Sequence, residues 1–325
     1  MLGLTAAAGS MLTGCALTPP SRTLRGYSVP AIDVHAHWAA PEFVELLARE
    51  GAANGAQIGK NARGDVTFNM PGLRQVFEPS RFDLEARLKA MDAAGVDMHA
   101  LSLSNPMVYW APPAFGARIC QAYNDALSAA HLKYPARFVG LAALPMQAPE
   151  LAVRELERAA ALPGIRGVYL ATHINGKNLD DKSFWPVYAK AEALHLPLLL
   201  HPLAPLGGER VRNYYLINFL SNPYETGIAA ASLVFGGVMD AYPELAVVLP
   251  HAGGPFPALI GRMDHGTTVR PETRHMKKPP STYLRRFYYD TIAHSDEILT
   301  NLIRQVGADR IVLGSDHPAD MGFER

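Results

Sequence analysis

From Ala31 onward, short apolar runs alternate with longer amphipathic stretches. The apolar runs fall at 32–35, 96–103, 138–144, 165–170, 197–201, 246–250, 287–291 and 310–314, and each is short enough for one buried strand. Helical periodicity lies between them, over 41–50, 83–94, 114–134, 149–161, 183–194, 224–241, from 256, and 295–306. Pro41 suits a first helical turn, and Gly95 ends the 83–94 helix. Strands joined through helices imply parallel pairing, and eight alternations predict an α/β (β/α)8 TIM barrel. Residues 51–80, rich in Gly, Asn and Pro and without clear periodicity, read as an insertion after strand one that lies over the barrel mouth. Arg325 comes where an eighth closing helix is expected, so the barrel is read as lacking that helix.

Composition narrows this picture. A chain of 325 residues with 49% hydrophobic and 18% charged positions can bury one large core, the size of a barrel of ~250 residues with additions. Thirty basic and thirty acidic residues balance, so nothing points to a nucleic-acid-binding surface, which needs a clustered excess of Lys and Arg. No apolar run reaches the ~20 residues a membrane-spanning helix requires. Two cysteines, Cys15 and Cys120, give no disulfide framework.

The N-terminus reads separately from the fold. Residues 2–17 are small and apolar without charge, and a Pro/Ser/Arg stretch follows, as in the core of an export signal. Leu12-Thr13-Gly14-Cys15 has the form of a lipobox, which makes Cys15 a candidate lipid anchor. The expected division is therefore 1–26 as signal and linker and 27–325 as barrel, with the product periplasmic or membrane-anchored. A cytoplasmic enzyme with an apolar extension is the alternative.

Candidate chemistry emerges from position. His35, His201, His251 and Asp316 each follow an apolar strand run, in AIDVHAH, PLLLHP, AVVLPHAGG and RIVLGSDHP. Parallel barrel strands all end on one face, so residues far apart in the chain converge there. His37 stands two positions after His35 and shares its strand face. Three imidazoles and a carboxylate suit one borderline divalent ion, zinc first, with Mn, Co or Fe also compatible. Such an ion activates a bound water or polarises a substrate oxygen. His251 then fits as an unligated acid or base. His173, after strand four, is a candidate for the substrate-facing wall. Taken singly, each of these residues has a plain structural reading, such as a helix cap for Asp316 or a turn contact for His251.

The stretches DVHAHW, LRQVFEPSRFDLEARLKAMDAAGVD, HPLAPLGGER, PHAGGPFPALIGRMD and LGSDHP together resemble the amidohydrolase-2 family, in particular its aminocarboxymuconate semialdehyde decarboxylases and related aromatic-acid decarboxylases. The likeness runs from about Ile32 to Asp316. It implies a metal-dependent carboxy-lyase with His35, His37, His201 and Asp316 as ligands and His251 as the proton-handling group. It further implies that Arg74 meets a substrate carboxylate, that Tyr214 takes the place of a pocket tryptophan, and that Arg262 enters the partner subunit's site in a homodimer. Strand four, GIRGVYLA, has no Lys at the end where binuclear relatives carry a bridging one, so a single metal is expected. Leu203 and His317 replace aromatic residues of the family pattern, which leaves the substrate open beyond a small unsaturated or aromatic carboxylic acid. A hydrolase of an amide or lactone uses the same parts, and a non-catalytic anchored metal or ligand binder is the reading from another class.

Overall fold

The computed structural model describes residues 23–24, 27–71, 73–203 and 206–322. The apolar leader and Cys15 lie outside them. The chain separates into two compact units, Met1–Pro30 and Ala31–Arg325. Within the first, Thr23–Leu24 pairs antiparallel with Tyr27–Ser28.

In the second unit, eight parallel strands form one sheet: β1 (Ile32–His37), β2 (Met98–Ser102), β3 (Phe138–Ala143), β4 (Ile165–Ala171), β5 (Leu198–His201), β6 (Val247–Leu249), β7 (Phe287–Asp290) and β8 (Ile311–Val312). They neighbour one another in chain order. Val34 N–H donates to Leu313 O at 2.9 Å, and Ala36 bridges His317 in parallel, so the last strand region returns to the first. The result is the (β/α)8 barrel expected from the alternation. Its helices are α1 (Pro41–Glu50), α2 (Leu84–Ala94), α3 (Pro113–Lys133), α4 (Pro149–Ala160), α5 (Trp185–Ala193), α6 (Asn222–Phe235), α7 (Phe256–Val269) and α8 (Asp296–Val306). Among the described residues no helix follows β8, and none is long and apolar enough to cross a membrane.

Local chemistry explains the boundaries. Asp83 caps α2 by accepting from the Glu85 and Ala86 N–H groups, and Gly95 closes it at φ 68°. Ser295 caps α8 through the Ile298 N–H. Strand β5 is buried along its whole length, and each leucine enclosed this way contributes roughly 1.5–3 kcal/mol of transfer free energy.

The structure departs from the sequence expectation in two places. Residues 51–80 contain a three-stranded antiparallel sheet, Gln57–Lys60, Val66–Met70 and Leu73–Phe77. Its period-two signal is hidden because, among the described side chains of these strands, only Thr67, Phe68 and Phe77 are enclosed. The helix expected over 224–241 instead starts as a π-helical turn at Ile217–Ser221, continues as α6, and breaks at Gly237 with φ 78°.

The register of β1 decides where its histidines point. Asp33 pairs with His99 and Ala36 with Leu101, so three steps on β1 face two on β2. This is a β-bulge, and one extra residue reverses the inside–outside alternation. Ile32 and Val34 line an apolar space inside the lower barrel, while His35 and His37 occupy the interior at the other end. Regular pleating cannot place Val34 and His35 on one side.

Candidate metal centre

His35 and His37 on β1, His201 at the end of β5, and Asp316 after β8 meet at the C-terminal mouth of the barrel. One donor atom from each lies within 4.8 Å of all the others, and all four side chains are buried. His37 Nε2 is 2.8 Å and His35 Nε2 3.4 Å from the same Asp316 oxygen, Oδ1. The ring centroids of His37 and His201 are 4.8 Å apart.

Each imidazole is oriented through its other nitrogen. His35 Nδ1 is 2.8 Å from Asp290 Oδ2, His37 Nδ1 is 3.1 Å from Ser102 Oγ, and His201 Nδ1 is 2.9 Å from the Pro202 carbonyl. Nδ1 donation to a carboxylate or carbonyl fixes the tautomer and leaves Nε2 as a lone-pair donor toward the centre, the arrangement of ligating histidines. His35 Nε2 is fully buried and has no hydrogen-bond partner. An orphaned buried acceptor is costly unless something cationic occupies the space before it.

Electrostatics agree. Burial opposes charge on His35, yet Asp316 and Asp290 hold its pKa up at about 9. Burial works against ionisation of Asp316 as well, but His35 and His37 keep it below the usual carboxylate range. Desolvation depresses His201 and brings His37 down to about 4. Ionised Asp316 and Asp290 thus stand beside neutral His37 and His201, and the raised pKa of His35 marks a position that favours positive charge. The donor set fits a divalent ion, with Asp316 supplying one negative charge and the imidazoles selecting for a borderline metal.

Asp290, at the end of β7, carries no sequence signal beyond its strand-end position. It couples the centre to the neighbouring loop: Oδ2 faces His35, while Oδ1 accepts the N–H groups of Ala252 and Ile292 at 2.9 and 3.1 Å. The His251–Gly254 turn is thereby fixed in a left-handed path, with φ of 54°, 53°, 79° and 55° in succession. A Cβ on Gly254 would lie 2.0 Å from the Pro223 carbonyl oxygen, which is why this turn needs glycine. The turn presents His251 with its ring centroid 5.6 Å from that of His35. Burial holds His251 below the ordinary histidine range, partly offset by Asp290. Asp316 also has a positive φ, 61°. Strained non-glycine residues gathered at one barrel mouth are a mark of function. Strand four contributes Tyr169, whose hydroxyl is 3.4 Å from His37 Nδ1.

A cavity of about 290 Å³ opens above the cluster, with His37, His201, His251 and Asp316 at its floor. The insertion sheet contributes Gln75 and Val76 to its wall. The remaining sequence candidates lie elsewhere. Arg74 is exposed on the Leu73–Phe77 strand and Tyr214 is 85% exposed, while the adjacent Gln75 and Tyr215 line the cavity. Arg262 is exposed on α7. His173 is half-buried outside the cavity wall, with Nδ1 accepting the Gly176 N–H at 3.2 Å. Sequence reading passed over Arg81, Asn105, Asn218 and Asn222, all of which line the cavity. Their only signal was proximity to strand ends or to the insertion.

Comparison with known proteins places these features in a family. The amidohydrolase family model matches residues 32–324. The chain is 31% identical over 296 residues, 90% of its own length and 82% of the relative's, to a 2-amino-3-carboxymuconate-6-semialdehyde decarboxylase of Dictyostelium discoideum. An IDCase of Metarhizium anisopliae superposes with TM-score 0.79 at 26% identity, covering 91% of this chain and 87% of that one. A dihydroxybenzoic acid decarboxylase of Polaromonas, solved with bound manganese and 2-nitroresorcinol, superposes with TM-score 0.73 at 28% identity over 90% and 87% of the two chains.

Proposed function

This chain belongs to the amidohydrolase family, and we propose that within it the protein is a metal-dependent decarboxylase of a small aromatic or conjugated carboxylic acid. The observation that carries this reading is the convergence of His35, His37, His201 and Asp316 beside His251 at the floor of a cavity of substrate size. When bound, a divalent ion there supplies Lewis acidity toward a substrate oxygen. Zinc is favoured by the three imidazoles, and manganese, which the Polaromonas neighbour holds, is the competing outcome of elemental analysis.

The chain's own groups perform the remaining tasks. The carbon bearing the carboxylate must take up one proton as its bond to CO2 breaks, and the electrons of that bond stay on this carbon. His251, neutral through burial and open to the cavity on one side, is placed to accept a proton from a bound water or a substrate hydroxyl and then deliver it to that carbon, ending neutral again. Asp290 keeps the His251 turn and His35 in fixed relation. The test is incubation of the metal-loaded protein with a panel of aromatic acids and lactones in oxygen-18 water. Stoichiometric CO2 with no label in the product supports decarboxylation. Label entering an acid product supports hydrolysis and removes this reading.

A homodimer is part of the proposal. The segment around the π-helical turn exposes Leu206, Ile217, Phe219, Leu220 and Tyr224, an apolar concentration that a lone soluble domain rarely carries. Arg262 is exposed on α7, as a residue offered to a second copy would be. Sedimentation at micromolar concentration is expected to give twice the 35.2 kDa chain mass, and a purely monomeric protein would remove the dimer.

A further inference from the structure

The four metal-site residues include three that stand on the two segments meeting where the barrel closes. His35 and His37 belong to β1, and Asp316 follows the two-residue strand β8. Two backbone bonds join these segments, from Val34 N–H to Leu313 O at 2.9 Å and from His37 N–H to His317 O at 2.7 Å. Between them the contact is made by a side chain. Asp33, fully buried, accepts the His35 N–H at 2.9 Å and the Ser315 N–H at 3.1 Å on Oδ1, and the Ser315 hydroxyl on Oδ2. Ser315 Oγ in turn accepts the His317 N–H at 3.1 Å. One carboxylate therefore grips the backbone of a histidine at the centre and of the residue before Asp316. The junction is tight, since a Cβ on Gly314 would lie 3.0 Å from His35 Cβ.

A buried carboxylate needs a counter-charge. Met98 and Ala100 of β2 line the apolar space inside the barrel, so His99 between them points outward, toward the helices. There it meets Arg87 of α2, which is also buried. Arg87 Nη1 is 3.3 Å from His99 Nδ1, and His99 Nε2 is 3.6 Å from Asp33 Oδ2. A guanidinium only donates, so His99 Nδ1 accepts and its proton sits on Nε2, facing Asp33. Burial and Arg87 keep this imidazole neutral, with its pKa pushed down to about 2. Arg87 Nη2 also donates to the His37 carbonyl. The cation thus holds the backbone of one metal-site histidine directly and supports Asp33 through one neutral ring. None of Asp33, Arg87, His99 and Ser315 lines the cavity over the centre.

We propose that Asp33, braced by Arg87 through His99, is a positioning residue that sets the spacing of Asp316 from the β1 histidines, on which metal affinity depends. The proposal rests on the reading of the cluster as a metal centre, and it adds what holds the two halves of that centre in register.

The test is cobalt(II) affinity, measured by competition with a chromophoric chelator, together with the visible absorption of the cobalt protein, which reports ligand geometry. Asp33→Asn and Ser315→Ala are each expected to weaken cobalt binding by about ten- to a hundredfold, the usual effect of losing a group that orients a ligand, and to change the absorption bands. Arg87→Met should do the same, and Arg87→Lys should recover part of the loss. Leu156→Ala, buried on α4 and outside the network, is the control for lost stability. It should lower the melting temperature and leave affinity and spectrum as in the parent. Ser315→Ala removes only a hydroxyl, so it decides the question if a charge variant does not fold. Parent-like affinity and spectrum in Asp33→Asn and Ser315→Ala overturn the proposal, as does an equal loss of affinity in Leu156→Ala. Parent-like binding by Arg87→Met removes the brace. A parent chain that binds no cobalt overturns the metal-centre reading itself.

Discussion

Replacing His201 or Asp316 with alanine is expected to empty the barrel mouth of its divalent ion and to lower kcat/KM by at least about a thousandfold. A Lewis acid contributes several kcal/mol to charge stabilisation in the transition state, and each 1.36 kcal/mol is a factor of ten in rate. Removing Asp316 deletes the negative charge that His35 and His37 both face, and leaves three imidazoles as a weaker, neutral site. Elemental analysis should give about one ion per parent chain and far less in either variant. Because the ion binds only the folded chain, the parent's melting temperature should rise with metal and the variants' should not. Either variant retaining a full complement of metal and activity would show that the cluster is a buried polar network and not a catalytic centre.

The second large effect belongs to His251. His251→Asn should reduce kcat by about 10²–10⁴, the usual worth of a positioned acid or base, while metal content stays at the parent level. Retained metal separates this result from the ligand variants, since His251 approaches His35 without sharing its ligand role. The pH profile provides an independent reading. Burial disfavours the protonated ring, so the acidic limb that reports His251 should lie below the ~6.5 of an unperturbed histidine. A neighbouring cation pushes it further in the same direction. That limb should vanish in His251→Asn, and a variant with unchanged kcat and profile would end the assignment.

Much of this was readable from the chain. Period-two and period-3.6 patterns from Ala31 onward laid out eight strand–helix alternations, and the one-faced ending of parallel strands then brought together residues up to 281 positions apart, His35 with Asp316. The insertion was less legible. Its strands are half-exposed and Gly59 interrupts the first of them, so the alternation that would have revealed a sheet is faint. The substrate wall was least legible. Sequence pointed to Arg74 and passed over Arg81, yet Arg74 lies exposed on its strand while Arg81 lines the cavity from a turn bonded to Trp38 and Ala39. Tyr214 and Tyr215 differ in the same way, with only the second reaching the cavity, where its hydroxyl is 3.0 Å from Asp320.

The sequence by itself determined the barrel, the metal-binding residue types and the end of the barrel at which they gather, because strand direction and hydrophobic period are properties of local chain. Tertiary structure decided the aim of each side chain. The β1 bulge turns His35 and His37 inward above Ile32 and Val34, Asp290 reaches across from β7 to lock His35 and the His251 turn, and the π-helical turn before α6 brings Asn218 and Asn222 to the cavity. Each depends on a register or a contact between distant segments, and pairing energies of that kind are set by the assembled barrel and not by neighbours in the chain.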